Sequence, residues 1–128
     1  MLRTVALVVA GLAVSAGALG AQATPDAPMV EGAVEQRPIP VPGSCQAPVY
    51  PATLRAARME GRVILQFVVD TLGRIEANSV RALSSSHTYF EEAARRALLT
   101  CRYQPALFNG RPVRVLVQLP FNFQLARR

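Results

Sequence analysis

The ten residues Gly61–Asp70, GRVILQFVVD, constrain the fold more than any other stretch. Val63, Leu65, Phe67 and Val69 alternate with Arg62, Gln66 and Asp70, the two-residue period of a strand. Ile64 and Val68 make the second face partly apolar, which suits a central position in a sheet. Gly61 precedes the run, and Asp70-Thr71-Leu72-Gly73 follows as a turn in which Gly73 is free to take positive φ.

The chain has 128 residues, and not all of them can belong to a folded core. A short positive start, Met1-Leu2-Arg3, leads into an uncharged apolar run from Thr4 to Gly20 and then Ala21-Gln22-Ala23, a small-x-small pattern. Residues 1–23 read as a secretory signal peptide. The alternative is a short uncleaved anchor; the run is at the lower end of the length that spans a bilayer. Residues 24–42 hold five prolines with Asp26, Glu31 and Glu35, and read as an extended linker. The domain proper is expected over residues 43–128, a size that gains from a covalent staple.

Every basic residue is Arg, and the formal net charge is +6. Residues 43–128 carry twelve Arg against Glu60, Asp70, Glu76, Glu91 and Glu92. Such a surface attracts polyanions. Export argues against nucleic acid and leaves lipid head groups, cell-wall polymer or acidic peptides. The two cysteines, Cys45 and Cys101, form an even count in an exported chain, which favours a disulfide over two separate buried thiols. Two distant Cys and one His lack the ligand spacing of a metal site, and no cofactor motif is present.

Tyr50-Pro51 opens a first helix over Ala52–Met59, with Pro at the first helical position and Gly61 as a left-handed cap. Arg74–Leu83 reads as the next strand. Ile75 and Ala77 share one parity and Val80 and Ala82 the other, so a β-bulge is expected at Asn78-Ser79. Thr88-Tyr89-Phe90-Glu91 fits a capping box, followed by the helical stripe Phe90, Ala93, Ala94, Ala97 and Leu98. Glu91–Arg95 and Glu92–Arg96 are spaced to pair on the outer face. Asn109-Gly110 is a turn. Pro112–Leu125 then reads as one long strand, with Val113, Val115, Val117, Leu119, Phe121, Phe123 and Leu125 on one parity. Pro120 lies within it and cannot donate to a ladder, so one edge of this strand is expected to be free there. A free edge can take a peptide as an added strand, or a second copy of the domain as a homodimer.

The order helix, strand, strand, helix, strand predicts an α+β domain, two helices on a three-stranded antiparallel sheet. An enzymatic reading has only Ser84-Ser85-Ser86-His87 and Asp70 to draw on. No catalytic motif frames them, and His87 reads as a loop residue before a helix cap.

The ordered series Tyr50-Pro51, Met59-Glu60-Gly61-Arg62-Val63, Phe67-x-Val69-Asp70, Gly73-Arg74-Ile75, Phe90-Glu91-x-Ala93, Arg102-Tyr103-x-Pro105-Ala106 and Gly110 resembles the TonB C-terminal domain over about Pro48–Leu125. The resemblance implies a periplasmic, non-catalytic domain. Its relatives carry energy from an inner-membrane proton-channel complex to outer-membrane receptors by pairing a receptor peptide with the last strand. By position, the pairing edge is Val113, Arg114, Val115, Leu116, Val117, Gln118 and Leu119. Replacing Val115 by Pro is expected to abolish pairing if its N–H faces that edge. Pro48, Val49, Tyr50 and Pro51 form the second contact loop. Members commonly carry Trp where Cys101 stands, and a disulfide to Cys45 is a plausible replacement anchor. Energy-transducing members also keep a polar residue in an N-terminal anchor, where this chain offers only Ser15. Their spacer is long, whereas residues 24–42 reach at most about 65 Å. An exported binding module, a short anchored transducer and an envelope-binding module using its Arg surface are therefore all carried forward.

Overall fold

The computed structural model describes residues 27–126 and Gly11. The expected signal peptide or anchor lies outside the described residues, save Gly11. No helix among the described residues is long and apolar enough to cross a membrane. The elements in chain order are β1 (Met29–Val30), β2 (Ile39–Pro40), α1 (Ala52–Ala56), β3 (Gly61–Val69), β4 (Arg81–Ser85), α2 (Thr88–Leu98), β5 (Tyr103–Gln104), β6 (Ala106–Phe108), β7 (Arg111–Val113) and β8 (Val115–Phe123).

The central strand is β3, as its two-sided apolar character requires. Val63, Leu65, Phe67 and Val69 are fully buried, and Val68 on the other face is buried too. β3 pairs antiparallel with β8 along its whole length and with β4 on its other side. Leu54 of α1 and Phe90, Ala94 and Leu98 of α2 pack on the inner face with Val115, Val117 and Phe123. The expected order α1-β3-β4-α2-β8 stands in this core. The sheet is not three-stranded, however. It has four strands in the order β1-β8-β3-β4, with β1 parallel to β8, and two small two-stranded sheets lie beside it. Two of the added strands, β1 and β2, come from the proline-rich stretch, which runs extended but lies against the domain. β2 pairs with β5, and Gln36 bridges Leu107.

Two turns follow the local sequence. Gly73 has φ 81°, and a Cβ there would lie 1.7 Å from the Tyr103 carbonyl oxygen. Asn109 and Gly110 both have positive φ, the two-residue hairpin that joins β6 to β7. Asp70 closes its turn by accepting N–H bonds from Leu72 (2.9 Å) and Arg74 (2.8 Å) on Oδ1, while the Arg74 guanidinium reaches Oδ2 at 3.3 Å.

Other local expectations are corrected by tertiary contacts. α1 stops at Ala56, and the left-handed cap is Arg58 (φ 53°), not Gly61. The Met59 N–H reaches Leu54 O and the Arg58 N–H reaches Arg55 O, the Schellman pattern. Gly61 instead begins β3, where a Cβ would stand 2.4 Å from Phe90 Cε2. No bulge forms at Asn78-Ser79. Ala77–Ser79 is a single 3-10 turn, because the Ser79 hydroxyl accepts the Val68 N–H (2.8 Å) and takes the place of a ladder partner. The register slips later, between Ile64↔Ser84 and Leu65↔Ala82, which makes Leu83 the extra residue. The cap of α2 is His87, whose Nδ1 accepts the Tyr89 N–H at 3.0 Å, so Thr88 is already helical. Glu91 pairs with Arg95 at 3.3 Å, and Glu92 does not pair with Arg96. The long last strand breaks at Arg114 into β7 and β8.

Three outcomes test these assignments. Gly61→Ala is expected to lose about 1–3 kcal/mol through overpacking against Phe90, read from urea unfolding. Arg58→Gly is expected to gain about 0.5–1 kcal/mol, because glycine relieves the left-handed backbone at an exposed site. At Asp70, burial works to raise the carboxyl pKa. The N–H bonds from Arg74 and Leu72, with the Arg74 guanidinium, outweigh it and hold the group below its ordinary value. A lowered folded pKa stabilises above the unfolded value of about 3.9, and that stability is lost as pH falls through the folded value. Asp70→Asn is therefore expected to flatten the acid limb of a stability–pH curve measured from about pH 5 to about pH 2.

Candidate functional site

The outer edge of β8 is built by alternation. Odd residues of β3 pair with odd residues of β8, from Gly61↔Phe123 to Val69↔Val115. On the far side of β3, Arg62 O accepts the Ser86 N–H, and Val68 bonds Glu76 and Ser79. The odd residues of β3 therefore turn their main-chain groups to β8, and Val115, Val117 and Leu119 answer them. The main-chain groups of Arg114, Leu116, Gln118, Pro120 and Asn122 point outward. The Met29 N–H confirms this phase by donating to Arg114 O at 2.9 Å. Val115 thus faces β3, and the outward donors in the expected edge are Leu116 and Gln118. Pro120 places its missing donor on the outer side, where nothing in the sheet needs it.

Part of this edge is occupied. β1 lies parallel to β8, with Met29 opposite Val115 and Val30 opposite Leu116. Among the described residues no strand pairs with Gln118–Asn122 on that side. Val113 belongs to the separate β6–β7 hairpin, opposite Ala106. The Arg114 guanidinium grips Glu76 through two oxygens, Nε–Oε2 at 2.8 Å and Nη2–Oε1 at 2.9 Å. This pair ties the end of the β3–β4 connection to the break before β8. Glu31, just after β1, faces Tyr103. Burial pushes the Tyr103 phenol up, and the Glu31 carboxylate adds to it.

The loop Pro48–Pro51 sits elsewhere. Tyr50 meets Phe90 and Phe123 edge-on at 5.5 and 5.8 Å, and its hydroxyl donates to Met59 O. The Arg55 guanidinium lies over its ring at 5.0 Å. Tyr50 therefore holds the loop to the core, while Val49 is 79 % exposed. A cleft of about 480 Å³ opens between this loop and α2, lined by Val49, Tyr50, Tyr89, Ala93 and Arg96 among others. The loop stands at the Phe123 end of β8. Eight residues at about 3.4 Å each separate that end from Val115 by about 27 Å. The two expected contact regions are thus not one pocket. They lie at opposite ends of the same strand.

Cys45 and Cys101 form a disulfide, with Cα atoms 4.1 Å apart. Around it the Val41 N–H donates to Arg102 O (2.8 Å), and the Gln46 N–H donates to Thr100 Oγ1 (2.8 Å). The staple therefore fixes the end of the proline-rich stretch to the segment after α2. Asp70 and His87 are held at opposite ends of β3, one closing a turn and the other capping a helix, so they do not meet. No group of three or more His, Cys, Asp or Glu able to hold a metal exists among the described residues.

The sequence signal missed here was β1. Met29-Val30 is too short to show a period, and only its placement on β8 makes it a strand.

The family model described as the Gram-negative bacterial TonB protein C-terminal matches residues 46–125. The solution structure of the Pseudomonas aeruginosa TonB C-terminal domain is similar at TM-score 0.57 and 28 % identity, over 71 % of this chain and 89 % of that one. No protein of curated function matches the chain. By a family match that covers more than half of its length, the chain belongs to the TonB C-terminal family.

Proposed function

We propose that this chain is an exported, non-catalytic module of the periplasm. It binds extended peptide segments of outer-membrane transport proteins by adding them as a strand to the outer edge of β8. The observation that carries the reading is the outward row of main-chain groups at Leu116, Gln118 and Asn122, beside an edge that already takes a parallel strand from the chain itself. Strand addition draws its affinity from main-chain hydrogen bonds, and the flanking side chains tune specificity. Here those side chains are Arg114, Leu116 and Gln118. The exposed Val49 loop supplies a second contact for a longer segment. Family membership supports the transport context. A short anchored transducer coupled to the inner-membrane proton-channel complex is the alternative if residues 1–23 are retained. An intact-mass measurement of soluble and membrane fractions distinguishes the two.

The test is a titration with synthetic plug segments of the host's outer-membrane receptors, followed by amide chemical shifts. Binding is expected to move Leu116 and Gln118. Gln118→Pro is expected to weaken it about tenfold or more while leaving the fold intact, since only an outward donor is lost. Leu119→Pro, which removes a donor facing β3, is expected to unfold the domain. A foldable Gln118→Pro variant with unchanged affinity, or steep salt dependence with no peptide preference, would move the reading to the Arg surface.

A further inference from the structure

The proline-rich stretch is not held uniformly. Its C-terminal end is fixed by β2 on β5, by the Val41 bond to Arg102 and by the disulfide. Its middle is fixed by Leu107, which bonds the N–H groups of Glu35 and Gln36 and donates to Gln36 O (3.0–3.2 Å). The Glu35 carboxylate also accepts the Asn109 N–H at 3.1 Å. Val34 packs against the core. Residues 27–31 have none of this. Their seat is the two-residue ladder on β8. The Met29 N–H donates to Arg114 O at 2.9 Å, and the parallel register Met29↔Val115, Val30↔Leu116 turns the Leu116 N–H toward Met29 O. Val30 is 58 % exposed. This short ladder and the half-buried Pro28, Met29 and Glu31 are all that offset the ordering of five residues, so this end is held more weakly than the stapled and bridged parts of the stretch.

We propose that residues 27–31 are a built-in occupant of the β8 edge, a strand in cis that an incoming strand must displace to pair with Arg114 and Leu116. The inference rests on the strand-addition reading above and names what regulates that site. The tether at Glu35–Gln36 keeps the segment beside the edge at high effective concentration, so it rebinds whenever the edge is empty. It covers the Leu116 donor and leaves Gln118 and Asn122 open. An external strand therefore starts on Gln118–Asn122 and completes its ladder only when β1 leaves. The affinity of any external strand is reduced by the fraction of time β1 is seated.

The test uses the whole chain and the variant Met29→Pro, which removes the N–H that β1 donates to Arg114 O. The probes are amide exchange at Leu116, with Phe67 as the fold control, and a synthetic peptide of residues 25–34 added in trans up to several millimolar. The Leu116 amide is expected to be protected in the parent chain. In the variant it should exchange at least tenfold faster, with Phe67 unchanged. The trans peptide is expected to bind the variant about tenfold tighter than the parent and to shift Leu116, as for an edge seated roughly nine-tenths of the time. Equal Leu116 exchange in both chains would overturn the inference. So would equal binding of the peptide to both, or its failure to bind the variant. Receptor plug segments separate this result from the reading it rests on. If the variant accepts the trans peptide and refuses every plug segment, the receptor reading fails and the cis occupant stands. If plug segments bind parent and variant alike, the receptor reading stands and the cis occupant fails.

Discussion

The ladder between β3 and β8 is the interaction on which the rest of the domain depends. It pairs nine residues with nine, and the inward side chains of β3 are excluded from water along its whole length. Its partners are far apart in sequence, so closing it loops out β4, α2 and both small hairpin strands in one step. That closure carries a chain-entropy cost. The disulfide closes a second loop that overlaps this one, from Cys45 ahead of β3 to Cys101 after α2. It joins residues 56 apart and, in the chain-entropy model, contributes roughly 4 kcal/mol by restricting the unfolded chain. A core of this size, drawn from five short α/β elements, gains in proportion from such a staple.

One end of the ladder is tighter than the other, and that asymmetry orders the surface. At the Gly61–Phe123 end the backbone comes so close to Phe90 that no side chain fits on residue 61. Phe90 and Phe123 stack at 4.5 Å there, and Tyr50 closes the cluster edge-on. This is why the Pro48–Pro51 loop has a fixed position although Pro48 and Val49 are exposed: one ring anchors it. At the Val115 end the sheet is instead finished by chain from before the helix, and the Arg114–Glu76 ion pair bridges two connections. An ion pair about one-third exposed adds modest stability, so its main effect is geometric.

What the sequence made legible was local. The parity of β3, the left-handed Gly73, the Asn109-Gly110 turn, the stripe of α2 and the outward Pro120 each depend on residue type within a few positions, and each is found as read. The features that escaped are decided by partners distant in the chain. Arg58 takes the left-handed cap because Gly61 is needed three residues on, against Phe90. His87 caps α2 with an imidazole nitrogen, outside the usual set of Ser, Thr, Asp and Asn. Ser79 replaces a strand partner with a hydroxyl, so a phase change that reads as a bulge becomes a turn. The break at Arg114 has no helix- or strand-breaking residue to announce it. It follows from the Glu76 grip and from the arrival of Met29 on the Arg114 carbonyl. Of the candidate site, the strand and its free side were legible, but which residues face outward was not, because that phase is set by the register against β3.

That phase bears on why the edge can exist at all. An open strand nine residues long would invite pairing with any extended chain, including another copy of the domain. Here its outward donors are only Leu116, Gln118 and Asn122. Pro120 removes the one between the last two, and β1 covers the first. With β1 seated, the free N–H groups are about 13 Å apart, four residues along the strand, with a gap between them. Such an edge is a poor template for nonspecific addition, because a chain laid on it finds bonds too sparse to offset its own ordering. With β1 displaced, Leu116 and Gln118 become consecutive donors on one side, and Arg114 and Leu116 offer their carbonyls beside them. The edge then presents an unbroken ladder only toward the Arg114 end, away from Pro120. The same two devices that keep the strand from sticking therefore also define where, and in which half of β8, a specific strand can gain most from binding.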